Sequence, residues 1–158
     1  MKHEPARLRT AIVLAVAAGV LALGAMALTV HATVRGAVIL FDTGKEDLDA
    51  SAQKILEERW LERKGARYFF VVGRASKTGT IESNRALSHR RANSIQFYIK
   101  EKFADPDLDK RVGLLWLGNE FAQLDMDFCT WNNTRSGEKC DTESINRSAF
   151  VSWVDCRL

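Results

Sequence analysis

The sequence predicts an α/β domain, a small mixed sheet with two helices on one face, preceded by one transmembrane helix. Three observations lead there. Short aromatic and β-branched runs alternate with two segments of helical period, in the order β-α-β-α-β-β. Glycine, proline and aspartate mark the turns between them. Residues 10–30, "TAIVLAVAAGVLALGAMALTV", carry no charge. Right-handed crossovers through the two helices would then place both on the same side of the sheet.

At about 1.5 Å per residue the uncharged segment reaches about 30 Å, the thickness of a bilayer core. Lys2, Arg7 and Arg9 precede it, which keeps the amino terminus cytoplasmic and sends the rest across the membrane. A cleaved signal peptide is the alternative, with the cut after Ala32 in "VHA". The apolar run exceeds the roughly 7–15 residues of a signal h-region, which favours an uncleaved anchor. The expected division is 1–35 for basic tip, anchor and short linker, and 36–158 for an extracytoplasmic domain. The first 35 residues hold Lys2, Arg7, Arg9 and Arg35 against Glu4, leaving 19 basic and 19 acidic side chains of the 23 and 20 in the whole chain. The domain is therefore neutral and lacks the basic stripe of a nucleic-acid binder.

The first strand is "AVILF", residues 37–41, ending in the turn "DTGKED". Leu48, Ala52, Ile55, Leu56, Trp60 and Leu61 then recur at helical spacing, with Asp49 or Ser51 as cap and Lys64-Gly65 as the stop. "ARYFFVVGR" is a buried strand, followed by the turn "ASKTGT". A second helix runs from about Glu82 to Phe103. It turns Leu87, Ile95, Tyr98 or Ile99 and Phe103 to the core, with Arg90, Arg91 and Lys100 elsewhere on the cylinder. "DPDLD" ends it, because proline cannot continue a helix. "RVGLLWLGN" is the third strand. "SAFVSWVDC" is the fourth, with Ala149, Val151 and Trp153 alternating against Phe150, Ser152 and Val154. Trp116 and Trp153 read as core, His89 as an exposed helix residue, and Trp131 as an exposed aromatic able to contact a partner.

Cys129 and Cys140 bracket a polar loop, "CTWNNTRSGEKC". In an oxidising compartment they are expected to form a disulfide worth about 2–4 kcal/mol; reduced, buried thiols are the alternative. Cys156 remains as a buried small residue, an intermolecular bridge or the true partner of one of the others. No metal is expected, since three cysteines and the distant His89 lack the close spacing of zinc ligands. No catalytic constellation stands out, so the protein reads as a non-enzyme without cofactors.

"VVGRASKTGTIESNRALSHRRANSIQFYI" resembles the central motif of the peptidoglycan-binding domain of the OmpA-like family, through Gly73, Gly79, Asn84, Leu87, Ser88, Arg91 and Ala92. "FDTGKEDLDASAQKIL" is similar to that family's opening strand-turn-helix, with Phe41, Gly44 and Leu48 in register. "GNE" at Gly118–Glu120 is similar to its Gly-x-Glu, and "INRSAFV" to its closing Asn-Arg-Arg strand. Some members also carry a disulfide just before that strand. The resemblance spans roughly residues 37–156.

It implies a pocket between the turn after the second strand and the second helix, holding a stem-peptide residue of peptidoglycan, usually diaminopimelate. An aspartate in the turn pairs with its ammonium, and an arginine on the helix grips its carboxylate. The implied ligand residues here are Gly73, Ala75, Ser76, Asn84, Leu87, Arg91 and Arg147. Three departures matter. The aspartate position carries Ser76, the threonine before it is Ala75, and the second arginine of the last motif is Ser148. Arg74, Lys77 and Arg90 crowd the turn with positive charge, and Glu82 is a candidate substitute acid. Gly73 and Gly79 read equally as turn geometry, Ser88 as helix surface, and Asn84 as a helix cap.

Two functions follow from the resemblance. One is a non-catalytic anchor in the bacterial inner membrane whose periplasmic domain binds peptidoglycan, weakened at Ser76. The other is an assembly subunit of a trans-envelope complex, such as a secretion system, using the fold for protein contacts. About six residues separate Val30 from the first strand, a reach of roughly 20 Å, which favours the second if the anchor is retained. An ion-driven stator is excluded, because residues 10–30 contain no acid.

Overall fold

The computed structural model describes residues 36–63, 65–130 and 139–154. The predicted membrane segment, the Ala32 site, Trp131 and Cys156 lie outside these residues. Among the described residues no helix is long and apolar enough to cross a membrane.

The elements are β1 (Gly36–Leu40), α1 (Ala50–Leu61), β2 (Tyr68–Gly73), α2 (Ile81–Lys102), β3 (Val112–Trp116), α3 (Thr142–Asn146) and β4 (Ser148–Val154). They form a four-stranded sheet in the order β1-β4-β2-β3. β4 runs antiparallel to both neighbours, and β2 and β3 are parallel, joined by α2. The mixed sheet is the predicted one; the short α3 is an addition that no helical period announces.

Asp49 caps α1, its Oδ1 accepting from the Ala52 amide at 2.7 Å. Ala52, Leu56 and Trp60 then face the sheet, and the Trp60 ring lies 4.5 Å from Phe69 and 5.6 Å from Phe103. Leu61, expected beside them, is exposed. From α2 come Ala92, Ile95 and Ile99, and from the strands Ala37, Ile39, Phe69, Val71, Ala149, Val151 and Trp153. Each large side chain buried there contributes about 1.5–3 kcal/mol of transfer free energy, so this layer dominates the fold.

Two strand readings need correction. β2 is buried on one face only: Phe69 and Val71 point inward, whereas Tyr68 and Phe70 are 49% and 41% exposed. Trp116 is not in the core either. It lies half-exposed on the edge strand, its ring 4.3 Å from His89 of α2. An edge strand has a neighbour on one side only, so apolar composition alone does not bury it.

On the sheet's second face Val38, Leu40, Leu124 and Ile145 form a smaller cluster, with Phe128, Cys129, Cys140 and Phe150 against it. The Cys129–Cys140 disulfide is formed, with Cα atoms 5.8 Å apart. α3 is fixed by a capping box in which the Asp141 carboxylate accepts from the Ser144 amide and Ser144 Oγ accepts from the Asp141 amide. The buried Asn146 then donates to the Leu124 carbonyl at 2.8 Å and accepts from the Leu124 amide at 2.7 Å.

Candidate functional site

β2 ends at Gly73, where a Cβ would overlap the backbone carbonyl of Ser88; the absent side chain lets α2 lie directly on the strand. Ser88 is fully buried rather than on the helix surface. Its hydroxyl donates to the Arg85 carbonyl at 2.8 Å and accepts from the Gly118 amide at 3.0 Å, tying α2 to the end of β3.

The turn from Arg74 to Thr80 is anchored from behind. The amides of Arg74 and Ala75 donate to the carbonyls of Ser148 and Gly118, each at 2.8 Å. The Arg74 side chain is buried and donates Nε–H to the Ala122 carbonyl at 2.9 Å, which commits its charge away from the cleft. Gly79 adopts φ +99°, a backbone region open mainly to glycine. Thr80, not Asn84, caps α2, its Oγ1 accepting from the Ser83 amide. Asn84 is instead buried one turn into the helix and donates Nδ2–H to the Thr78 carbonyl at 3.0 Å, closing the turn.

Arg91 departs furthest from expectation. Predicted to lie off the apolar face, it is fully buried, with its guanidinium 5.0 Å from the centre of the Phe41 ring. It donates to the carbonyls of Lys45 at 2.9 Å, Arg74 at 2.8 Å and Asp42 at 3.1 Å. These bonds employ three of the five guanidinium N–H groups. They also join the β1–α1 loop to the β2–α2 turn. Burial first, then the neighbouring charge of Arg147, lowers its pKa to about 10, while Glu46 opposes the shift.

Between the loop and the turn lies a cleft of about 280 Å³, lined by Thr43, Gly44, Ser76, Thr78, Ser83, Asn84, Leu87, Arg90 and Arg91. Of the predicted site residues, the structure brings Ser76, Asn84, Leu87 and Arg91 together there. Gly73 and Ala75 lie behind the turn, Ala75 fully buried. Arg147 is half-buried beside β1, its Nε–H directed to the Phe41 carbonyl at 3.4 Å. No lining residue is acidic. Arg90 faces Glu46 at 3.1 Å, and the exposed Glu82 does not line the cleft. Thr43, Thr78 and Ser83 were not anticipated as lining residues; Arg90 was anticipated only as charge near the turn, and Gly44 only as part of the opening motif. The hydroxyl-rich sequence on either side of Gly79 was the available signal.

A larger hollow, about 640 Å³, is a shallow surface groove at the carboxyl end of α2, lined by Phe97, Lys100, Glu101, Ala104, Asp105 and Pro106. It contains none of the motif residues.

The fold is shared with solved structures. The peptidoglycan-associated lipoprotein from Burkholderia pseudomallei superposes with a TM-score of 0.52 at 20% identity, over 75% of this chain and 90% of that one. The periplasmic domain of Helicobacter pylori MotB gives 0.52 at 11% identity, over 72% and 69%. The cell wall anchor of the T6SS from Pseudomonas aeruginosa gives 0.50 at 16% identity, over 73% and 76%. No curated protein matches the chain by sequence. The OmpA family model matches residues 40–127, more than half of the chain, and the protein belongs to the OmpA family.

Proposed function

We propose that residues 36–158 form a periplasmic domain that binds peptidoglycan non-covalently, carried on a single-pass inner-membrane helix within residues 1–35. The observation that carries this reading is the convergence of Ser76, Asn84, Leu87 and Arg91 on one cleft, in a chain of the OmpA family. Two solved structures of the same fold are named as a peptidoglycan-associated lipoprotein and a cell wall anchor. A stem-peptide carboxylate would lie toward Arg91, where a buried guanidinium is held rigid before any ligand arrives. Nothing in the cleft suggests bond-breaking chemistry, and the role is that of a binding module. Ser76 can accept a hydrogen bond from an ammonium but brings no opposite charge, and the aspartate's ion pair would add about 1–2 kcal/mol. The missing aspartate would therefore weaken binding roughly 5- to 30-fold.

Sedimentation of the detergent-solubilised full-length chain with insoluble peptidoglycan sacculi tests the reading. Arg91→Ala is a poor probe, because it strands three backbone carbonyls. Ser83→Trp, which fills the cleft from its exposed rim, should abolish sedimentation without lowering the melting temperature. Ser76→Asp should strengthen it.

A second reading is supported by the exposed apolar side chains Tyr68 and Phe70 of β2, Leu115 of β3 and Val154 of β4. They suit an assembly subunit of a trans-envelope complex. A native chain that stays in solution while Ser76→Asp sediments would put this reading in place of the first.

A further inference from the structure

The cleft has no acidic lining residue, yet one carboxylate is hydrogen-bonded to a residue of its wall. Thr78 lines the cleft and donates its hydroxyl proton to Oε1 of Glu143 at 3.0 Å. Its carbonyl accepts from Asn84 at 3.0 Å, so the residue is held at both ends. Glu143 is half-buried on α3, and α3 is set firmly. Its start is closed by the Asp141–Ser144 capping box, Ile145 is fully buried, and Asn146 is bonded twice to Leu124. A rigidly held element places a side chain reproducibly at a binding site.

The other nearby acids are less suited. Glu46 already faces Arg90, and Glu82 is exposed on the first turn of α2. A carboxylate accepts about four hydrogen bonds, and the neutral Thr78 hydroxyl takes one of them. An ammonium in the cleft can take another, and adds the attraction of opposite charges to the hydrogen bond.

Resting on the peptidoglycan reading, we propose that Glu143 is the ammonium-binding acid of this cleft. It replaces from α3 the charge that Ser76 does not supply from the turn. The site then takes a zwitterionic amino-acid side chain, with its ammonium toward Glu143 and Thr78 and its carboxylate toward Arg91. The closing segment before β4 thereby sets ligand specificity.

The experiment compares equilibrium binding of the full-length, detergent-solubilised chain to two soluble stem tetrapeptides containing diaminopimelate, with the side-chain amine free or acetylated. The native protein should prefer the free amine by roughly 5- to 30-fold. Glu143→Gln should bind both peptides at the acetylated level. Ser76→Asp, added to Glu143→Gln, should restore the preference and show that the variant is folded. A Glu143→Gln protein that keeps the preference, or a native protein that binds both peptides equally, overturns the role of Glu143 and leaves the peptidoglycan reading intact. A native protein that binds neither peptide nor sacculi overturns both.

Discussion

The two faces of the sheet are covered by different kinds of chain. Against one lie α1 and α2, which build a cluster of sixteen buried apolar residues among those described. Against the other lie irregular segments, α3 and a disulfide, with four such residues. The helical side rests on transfer free energy from regular, periodic packing. The second side buries too little to order its own loops by that means, and adds a covalent link and a network of side chain–backbone hydrogen bonds. The cleft sits where these two constructions meet: Arg91 and Leu87 line it from the helical side, and Glu143, bonded to the lining residue Thr78, comes from the other.

If that contrast is right, the largest loss of stability should come from Arg91→Ala. It removes three hydrogen bonds from a fully buried position and strands their carbonyl partners, at about 1–3 kcal/mol for each unsatisfied group. Urea unfolding should report a loss of at least about 3 kcal/mol, with Arg91→Lys intermediate. Replacing both Cys129 and Cys140 by serine opens a link across a separation of 11 residues and should cost about 2–4 kcal/mol. Far-ultraviolet circular dichroism should stay unchanged, because the helices belong to the other face. An equal loss of helical signal would show that the two faces fold as one unit. Leu115→Ser, on the exposed part of the second face, should change stability by no more than about 0.5 kcal/mol.

The last effect is confined to alkaline pH and is a change of slope. Tyr98 of α2 donates its hydroxyl to Glu57 of α1, and burial, then this bond to Glu57, raises its pKa from 10.0 to about 12. The folded chain keeps that proton where the unfolded chain loses it. The corresponding stability is complete below pH 10 and lost as pH rises toward about 12. In Tyr98→Phe this part of the alkaline decline in the urea midpoint should vanish.

The helical face was legible from the sequence because periodicity reports burial directly. Leu56, Trp60, Ile95 and Ile99 announce themselves by spacing. Arg91 did not, since its burial depends on three carbonyls from segments 17 to 49 residues away in sequence, and no local pattern encodes that convergence. The surface reading of Ser88 and the capping reading of Asn84 failed for a related reason: a small polar side chain bonded to a backbone group outside its own helix has the same local sequence as a surface or capping residue. Trp116 was placed inside on composition, whereas strand order decides its exposure. The cleft's turn-and-helix wall was found through the motif. Its other rim, with Thr43 and Gly44, and Glu143 behind Thr78 required the fold.

β1 carries a mechanical consequence. Its carboxyl end leads directly into Thr43 and Gly44 at the cleft, and its amino end is Gly36, where the preceding segment attaches. All five of its residues are paired antiparallel with β4. A pull between the amino-terminal segment and a ligand gripped in the cleft would run along this strand. The β1–β4 ladder would then be loaded in shear, with its bonds sharing the force, rather than peeled open one rung at a time. In the tethered, polymer-binding arrangement proposed above, this strand direction would let the domain resist tension best.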